Sequence, residues 1–159
     1  MIEKLVVNKK SKLTDLLHFV EGLKDSDFYY TKDNQRLYVT DINSLKGFLR
    51  DSSQVYVCKD ARGDYQGILL VWKSIGGGQT RYYVKVNAVS SKIATDLLTI
   101  LTWNFNRQLF VKIRKDSKLI EGFKFKGFRF EGSRGTQLLL KRDKSPYEFK
   151  TYQKEADIE

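Results

Sequence analysis

The segment from Lys112 to Arg142 reads KIRKDSKLIEGFKFKGFRFEGSRGTQLLLKR and decides the fold. It opens on the end of an alternating stretch, residues 108–114, which the pattern predicts to be a strand. Asp116 or Ser117 is then placed to cap a helix over 118–126, because short polar side chains satisfy the free N–H groups of a first helical turn.

Gly127 follows this helix and is the residue type that commonly closes one. Beyond it, residues 128–132 and 136–142 are predicted to pair as a hairpin across a turn at 133–135. The segment therefore predicts a strand, a helix and a closing hairpin, in that order.

The N-terminal third contains three predicted elements. Residues 2–7 are apolar and β-branched, which indicates a strand ended by residues 8–10. Ser11 can cap a helix whose apolar face repeats at helical spacing through Leu13, Leu16, Leu17, Val20 and Leu23. Residues 25–36 are polar and aromatic and are predicted to be a loop or a second, irregular helix. Asp41 then caps a short helix that runs to Leu49.

The middle of the chain changes to strand periodicity. Residues 54–59, 67–74 and 80–89 are predicted strands, separated by glycine-containing turns at 61–64 and 76–78. Three strands joined by short turns form an antiparallel meander.

Residues 93–105 form the longest helical pattern, and their apolar surface is wide enough for a central, buried helix. The element order predicts an α+β fold with a mostly antiparallel mixed sheet flanked by helices. Residues 1–142 are expected to form a single domain, and residues 143–159 a polar C-terminal tail.

The composition favours an anionic partner. The chain has 159 residues, a net charge of +10 and a pI near 9.6. Residues 107–144 carry 12 basic and 4 acidic side chains, so most of the excess lies in and beside the opening segment. Nucleic acid, a phosphorylated cofactor, an acidic protein and an anionic membrane surface are all suitable partners.

The single cysteine, Cys58, excludes an intramolecular disulfide framework. No apolar run approaches the roughly 20 residues that cross a bilayer. With no signal peptide, these features favour a cytoplasmic protein, and no metal cofactor is expected.

In and beside the opening segment, cations alternate with aromatic residues, which are Phe110, Phe123, Phe125, Phe128 and Phe130. Such interleaving can supply phosphate contacts and base-stacking surfaces, and the candidate cations are Lys112, Arg114, Lys115, Lys124, Lys126 and Arg129. The alternative interpretation is that the aromatic residues belong to the core and only the cations lie at the surface. The pattern leaves both open.

The element order resembles the GNAT family of acetyl-CoA-dependent N-acetyltransferases, whose fold is acyl-CoA N-acyltransferase-like. In the opening segment the resemblance lies in Lys115-Asp116-Ser117, Leu119, Phe123, Gly127-Phe128, Glu131-Gly132 and Leu138-Leu139-Leu140. It implies acetyl-CoA as cofactor. It also implies a cofactor site at the end of the fourth family strand and the start of the central helix, at Val86, Ala88, Val89, Ser90, Ser91, Lys92 and Ile93.

The chain departs from this family at two places. The family holds the cofactor pyrophosphate on a glycine-containing turn, whereas residues 89–95 contain no glycine. Many members also carry a tyrosine that protonates the leaving thiolate, and Phe123 occupies that position. The candidate general bases are Asp60, Asp64 and Glu131, and the favoured alternative for each is a solvated surface carboxylate.

Two functional hypotheses follow. The first is an N-acetyltransferase, or a catalytically degenerate descendant that acts as a binding protein. The second is a basic α+β module that binds nucleic acid or an acidic protein without enzymatic activity. A short, lysine-rich chain of this kind would also suit a phage or mobile-element protein.

Overall fold

The computed structural model describes residues 1–7, 12–22, 29–32 and 35–144. Within these ranges the chain forms one seven-stranded sheet, a separate two-stranded hairpin and four helices. In chain order the elements are β1 (Ile2–Lys4), α1 (Thr14–Gly22), β2 (Tyr29–Lys32), β3 (Gln35–Tyr38), α2 (Ile42–Asp51), β4 (Gln54–Lys59), β5 (Tyr65–Gly76), β6 (Gln79–Ala88), α3 (Ser91–Asn104), β7 (Leu109–Arg114), α4 (Ile120–Phe125), β8 (Arg129–Arg134) and β9 (Gln137–Arg142). None of these helices is long and apolar enough to span a membrane.

The main sheet has the strand order β1-β4-β5-β6-β7-β9-β8. Every neighbouring pair is antiparallel except β6 and β7, which are parallel. The predicted mixed, mostly antiparallel sheet is therefore confirmed. The small hairpin of β2 and β3 lies in its own sheet.

Helices pack on both faces of the main sheet, because its strands carry apolar side chains on alternate sides. On one face α1 and α2 cover β4 and β5, with the core residues Leu16, Leu45, Phe48, Val57, Ile68 and Leu70. On the other face α3 and α4 cover the strands from β4 to β9, with Leu69, Val84, Leu97, Leu101, Val111, Phe123 and Leu140. The central helix predicted over 93–105 is α3, which begins two residues earlier.

The predicted meander is confirmed, and the strand at 54–59 has the predicted bounds. The prediction of a loop or helix over 25–36 is wrong for the described residues, which form β2 and β3. Tyr29 and Tyr30 are aromatic residues that suit a pleated strand. The proposed Ser11 cap and the predicted tail beyond residue 144 lie outside the described residues.

The predicted cap of α4 is wrong. The helix begins at Ile120, and its N-cap is Leu119, which makes no capping bond through its side chain. The Ser117 hydroxyl oxygen instead accepts the N–H of Leu119 at 3.1 Å, and Asp116 pairs with Arg114 at 3.2 Å. Both polar side chains thus stabilise the turn before the helix and leave a shorter helix than predicted.

The predicted closure of α4 at Gly127 is confirmed. Gly127 has φ of +92°, which is the left-handed conformation that glycine tolerates best. The N–H of Phe128 then donates to the carbonyl of Phe123 at 3.0 Å. Arg142 is buried beside this end, and its Nε donates to the carbonyl of Lys126 at 2.8 Å, so a cation lies at the negative end of the helix.

Asp41 begins α2 with a capping box. Its Oδ1 accepts the N–H of Ser44 at 2.7 Å, and the Ser44 hydroxyl oxygen accepts the N–H of Asp41 at 3.1 Å. The backbone N–H of Ser44, and then its hydroxyl, lower the pKa of Asp41 below 3.8. A carboxyl with a lowered folded pKa stabilises the protein above the unfolded pKa and loses that effect as pH falls through the folded one.

We therefore expect Asp41→Ala to lower Tm at pH 7, and the difference from the parent protein to shrink as pH falls below 3.8. Thermal unfolding across pH 2–7 measures this. Asp41→Asn should keep the cap without the pH-dependent part. Asp51→Ala, at the opposite end of α2, serves as the control. An Asp41→Ala difference that persists unchanged at acid pH would contradict the assignment.

Candidate functional site

The sheet opens between its two parallel strands. Pairing of β6 with β7 is limited to Tyr82 with Leu109 and Tyr83 with Phe110. Beyond these two pairs, β6 runs on to residue 88 and β7 to residue 114 without a ladder between them. We call the space between residues 84–88 and 111–114 the wedge.

Backbone groups of β6 line the wedge. The N–H of Val89 donates to the carbonyl of Gln66 at 2.9 Å, at the end of the antiparallel register with β5. Because the N–H and C=O of successive residues point to opposite edges of a strand, the odd-numbered residues of β6 bond to β5. Val84, Val86 and Ala88 therefore direct their N–H and C=O groups towards the wedge. Two of these, Val86 and Ala88, belong to the site expected from the resemblance.

The N-terminus of α3 lies at the end of the wedge, only two residues after β6. Ser90 is the N-cap, and its hydroxyl oxygen accepts the N–H of Ile93 at 3.3 Å. The N–H groups of Ser91 and Lys92 precede the first intrahelical bond, and no hydrogen bond to either occurs in the described part of the chain. Two donors and the positive end of the helix dipole thus face outwards.

Lys92 does not add an unpaired charge to these donors. Its Nζ lies 3.0 Å from Oδ2 of Asp96, one turn further along α3. Both side chains are exposed, so the pair contributes little to stability and opens readily. Lys92 is neutralised within the helix when no competing anion is present.

Gly67 allows α3 to lie close to the sheet. A Cβ at this position of β5 would lie 2.8 Å from Cγ2 of Ile93 and 2.9 Å from Cδ1 of Leu97. These distances are shorter than carbon atoms tolerate. The lack of a side chain at Gly67 therefore allows the first turns of α3 to pack closely against the sheet beside the wedge.

Phe123 belongs to the core. Its side chain is 2% exposed, and its ring packs edge-to-face on Phe128 with centroids 5.1 Å apart. Val111 and Ile113 of β7 lie in the same cluster. This position supplies no proton, because phenylalanine has no ionisable group.

The three carboxylates predicted as general bases do not line the wedge. Asp60 organises the turn after β4, where its Oδ1 accepts the N–H groups of Arg62 at 2.9 Å and Asp64 at 3.0 Å. Asp64 is exposed in the same turn, and Glu131 lies 3.9 Å from Lys141 on the closing hairpin. Neither β6 nor β7 contains Asp, Glu or His. In the described ranges no three His, Cys, Asp or Glu side chains are grouped as a metal site.

The cations predicted to contact an anion are divided between different parts of the molecule. Lys112 and Arg114 alternate with the buried residues of β7 and so project on the face opposite α3 and α4. Lys124 belongs to α4 itself, and Lys126 directly follows it. Arg129 pairs with Asp143, while Lys115 lies in a turn.

The predicted aromatic partners divide as well. Phe110, Phe123 and Phe128 are buried, as the core interpretation expects. That interpretation is wrong for Phe125 and Phe130, which are 83% and 60% exposed. Phe125 lies on the outer side of α4, and Phe130 adjoins a register shift of β8.

Four residues form a compact group that the sequence reasoning did not assemble. Arg81, Tyr83, Phe110 and Lys112 share the face of β6 and β7 opposite α3 and α4, and we call this group the cationic face. The rings of Tyr83 and Phe110 are 5.7 Å apart. Arg81 lies over the Phe110 ring at 4.7 Å and Lys112 over the Tyr83 ring at 5.1 Å. The alternation of side chains along β6 places Arg81 and Tyr83 on the same face. Only the register with β7 shows that Phe110 and Lys112 lie beside them.

A cleft of about 660 Å³ lies at the other end of α3. Its walls include Thr80 and Tyr82 at the start of β6 and Asn104 at the end of the helix. A 14-residue helix is about 21 Å long, so this cleft is remote from the N-terminus of α3. It is not part of the wedge.

Comparison with known proteins identifies the fold. No family model and no curated protein matches the chain. Among solved structures, a protein assigned as a phosphinothricin N-acetyltransferase is 16% identical, with a TM-score of 0.61 over 91% of this chain and 99% of that one. A chimeric spermidine N-acetyltransferase from Vibrio cholerae is 12% identical, with a TM-score of 0.59 over 96% and 99%.

A GNAT-family acetyltransferase from Streptococcus pneumoniae gives a similar result, with 12% identity and a TM-score of 0.59 over 89% of this chain and 98% of that one. Identities this low carry the fold and no more. The chain therefore has the fold of the GNAT acyl-CoA N-acyltransferases.

Proposed function

We propose that the protein is an acetyl-CoA-dependent N-acetyltransferase. The observation that carries this proposal is the wedge, which opens between two parallel strands and ends at the N-terminus of α3. A strand edge with free amide groups suits an extended ligand that itself contains amides, and a helix N-terminus suits a phosphate. Coenzyme A combines both chemistries in one molecule.

The residues at the wedge fit this cofactor in two places. The backbone groups of Val86 and Ala88 would hold its pantetheine arm, and the N–H groups of Ser91 and Lys92 its pyrophosphate. Val89 and Ser90 form the connecting turn. Because this turn contains no glycine, the N-terminus of α3 would be the main phosphate contact. The N–H of Ile93 is already bonded to Ser90 and adds no donor. Bound acetyl-CoA supplies the acetyl group as a thioester.

In the described site, proton transfer falls to water. Phe123 supplies no acid, and the described strands beside the wedge supply no carboxylate or histidine base. Water would then accept the proton of the acceptor amine and protonate the leaving sulfur. A protein that binds acetyl-CoA but transfers nothing to any amine would instead be a binding protein derived from this fold.

The nucleic-acid alternative has less support. The predicted cations lie on different faces, so they do not offer one continuous track for a phosphate backbone. Binding to an acidic protein stays a prediction.

Ser91→Pro tests the proposed phosphate contact without disturbing the fold. Ser91 is the first residue of α3, where proline is favoured, and Ser90 has φ of −148° and ψ of 157°, which a following proline accepts. The substitution removes one of the two N–H donors. We expect it to weaken acetyl-CoA binding about tenfold or more, because a hydrogen bond to a charged group contributes about 1.5–3 kcal/mol. Isothermal titration measures the affinity.

Ser91→Ala is the matched control, since it keeps the N–H and should bind acetyl-CoA like the parent protein. Acetyl-pantetheine, which has no pyrophosphate, should bind both variants equally. No detectable heat with acetyl-CoA at millimolar concentration would rule out the proposed function. Equal affinities of Ser91→Pro and Ser91→Ala would rule out the helix end as the phosphate site.

A further inference from the structure

We propose that the acceptor is a primary amine that also carries a phosphate, sulfonate or carboxylate group, and that the cationic face binds this group. The inference rests on the proposed acetyltransferase function and names the substrate class of the same site. It is drawn from the position of the face beside the wedge, from its charge and from the partners of its cations.

The first step is the direction from which an acceptor reaches the wedge. On the side of α3 and α4, the walls are Val84 of β6 and Val111 of β7, which are 2% and 4% exposed under the helices. Core side chains therefore fill that side. On the opposite side Tyr83 is half-buried, and Arg81 and Lys112 are exposed. An acceptor that enters from this side passes the cationic face at the closed end of the wedge.

The second step is the charge that an acceptor meets there. β6 and β7 together contain Arg81, Lys85, Lys112 and Arg114 and no acidic residue. The carboxylates just after β9 and β7 are already engaged, since Asp143 pairs with Arg129 and Asp116 pairs with Arg114. Glu131 lies beside Lys141. A polycationic acceptor would be repelled from this face, whereas an anionic group would be attracted.

The third step is the state of the two central cations. Arg81 and Lys112 form no ion pair with any described residue and lie over the rings of Phe110 and Tyr83. At exposed sites a contact of this kind is weak, and it leaves the donors of the cation available. A charge-assisted hydrogen bond to a phosphate is stronger, so both side chains can turn from the rings onto a ligand.

The reaction places this anion a short distance from the reacting nitrogen. In the transfer, a bond forms between the acceptor nitrogen and the acetyl carbonyl carbon, the carbon–sulfur bond breaks, and the nitrogen loses a proton while the sulfur gains one. Lys112 is the second residue of β7 beyond its last pair with β6 and the first beyond that pair on the cationic face, close to the closed end of the wedge. An anion bound by Lys112 therefore positions an amine that a two-carbon chain joins to the anionic group.

The test compares acetyl transfer to O-phosphoethanolamine, ethanolamine and spermidine. We expect kcat/KM for O-phosphoethanolamine to exceed that for ethanolamine by about tenfold or more, and spermidine to be the poorest acceptor. Lys112→Gln and Arg81→Gln should each reduce the ratio of O-phosphoethanolamine to ethanolamine several-fold. Lys124→Gln, which removes an exposed cation from α4, should leave that ratio unchanged. Taurine in place of O-phosphoethanolamine separates phosphate recognition from a general preference for anions.

Equal or faster transfer to spermidine, or a ratio that both face variants leave unchanged, would overturn this inference while the acetyltransferase function stands. A binding measurement identifies the opposite case, in which the cationic face binds an anion but the protein is not an acetyltransferase. If O-phosphoethanolamine shifts the ring signals of Tyr83 and Phe110 in NMR spectra but no amine is acetylated, the enzymatic function fails and the anion preference of the face stands. If it shifts neither ring and no amine is acetylated, both fail.

Discussion

Phe123→Ala is expected to lower the free energy of unfolding by about 3–5 kcal/mol, which is the usual cost of deleting a buried aromatic ring. The reason is the packing of this ring between α4 and the sheet, where it is 2% exposed and meets Phe128 edge-to-face. Domains of this size are stable by only about 5–15 kcal/mol, so the loss is a large part of the total. Urea unfolding, with the midpoint compared at constant m, measures it.

Phe125→Ala is the matched control, two residues away in the same helix. Its side chain is 83% exposed, so its removal should change stability by about 0.5 kcal/mol or less. A Phe123→Ala loss below about 1 kcal/mol would contradict the buried position. Phe123→Tyr is informative as well: because its hydroxyl would enter an apolar core, we expect lower stability and no gain in acetyl transfer.

Gly67→Ala is expected to cost about 1–3 kcal/mol, although alanine normally suits a strand better than glycine does. The added Cβ would meet the stiff, β-branched Ile93 at 2.8 Å and the fixed Cβ of Ala88 at 3.2 Å, so α3 must move away from the sheet. Because the N-terminus of α3 moves with it, acetyl-CoA affinity should fall together with Tm. Calorimetry and titration on the same variant measure the two effects.

Gly47→Ala provides the control with the opposite sign. Gly47 lies in α2, where an added Cβ has open space around it. Alanine should therefore stabilise the helix by about 0.5–1 kcal/mol and leave acetyl-CoA binding unchanged. If both substitutions stabilised the protein, the contact between Gly67 and α3 would be disproved.

The fold was accessible from sequence wherever local pattern and tertiary packing agree. The strand at 54–59 lies between clear turn residues, and Asp41 caps a helix because its side chain reaches a free N–H group. Ser117 misled the prediction because its hydroxyl bonds the N–H of Leu119 before the helix begins. The same local chemistry can serve a turn or a cap, and only tertiary packing selects between them.

The site was less accessible, because it depends on register between strands that are distant in sequence. Nothing in residues 79–88 or 109–114 alone shows that their parallel pairing stops after two residue pairs. The pairing of Tyr83 with Phe110, which creates the cationic face, is equally invisible in the sequence. Arg142 shows the same limit: beside Lys141 it resembles a surface residue, yet it is buried against the end of α4.

The short parallel ladder also divides the sheet mechanically. Strands β1, β4, β5 and β6 form one unit and β7, β9 and β8 another, and only two residue pairs join their backbones. Widening the wedge breaks no ladder bond beyond Phe110. A rotation of the second unit about Tyr82 and Tyr83 that widened the wedge would also shift the contact between Gly122 of α4 and Thr95 of α3. The two pairs of β6 with β7 that bound the proposed cofactor site would thus also be the axis of any rotation between the two units.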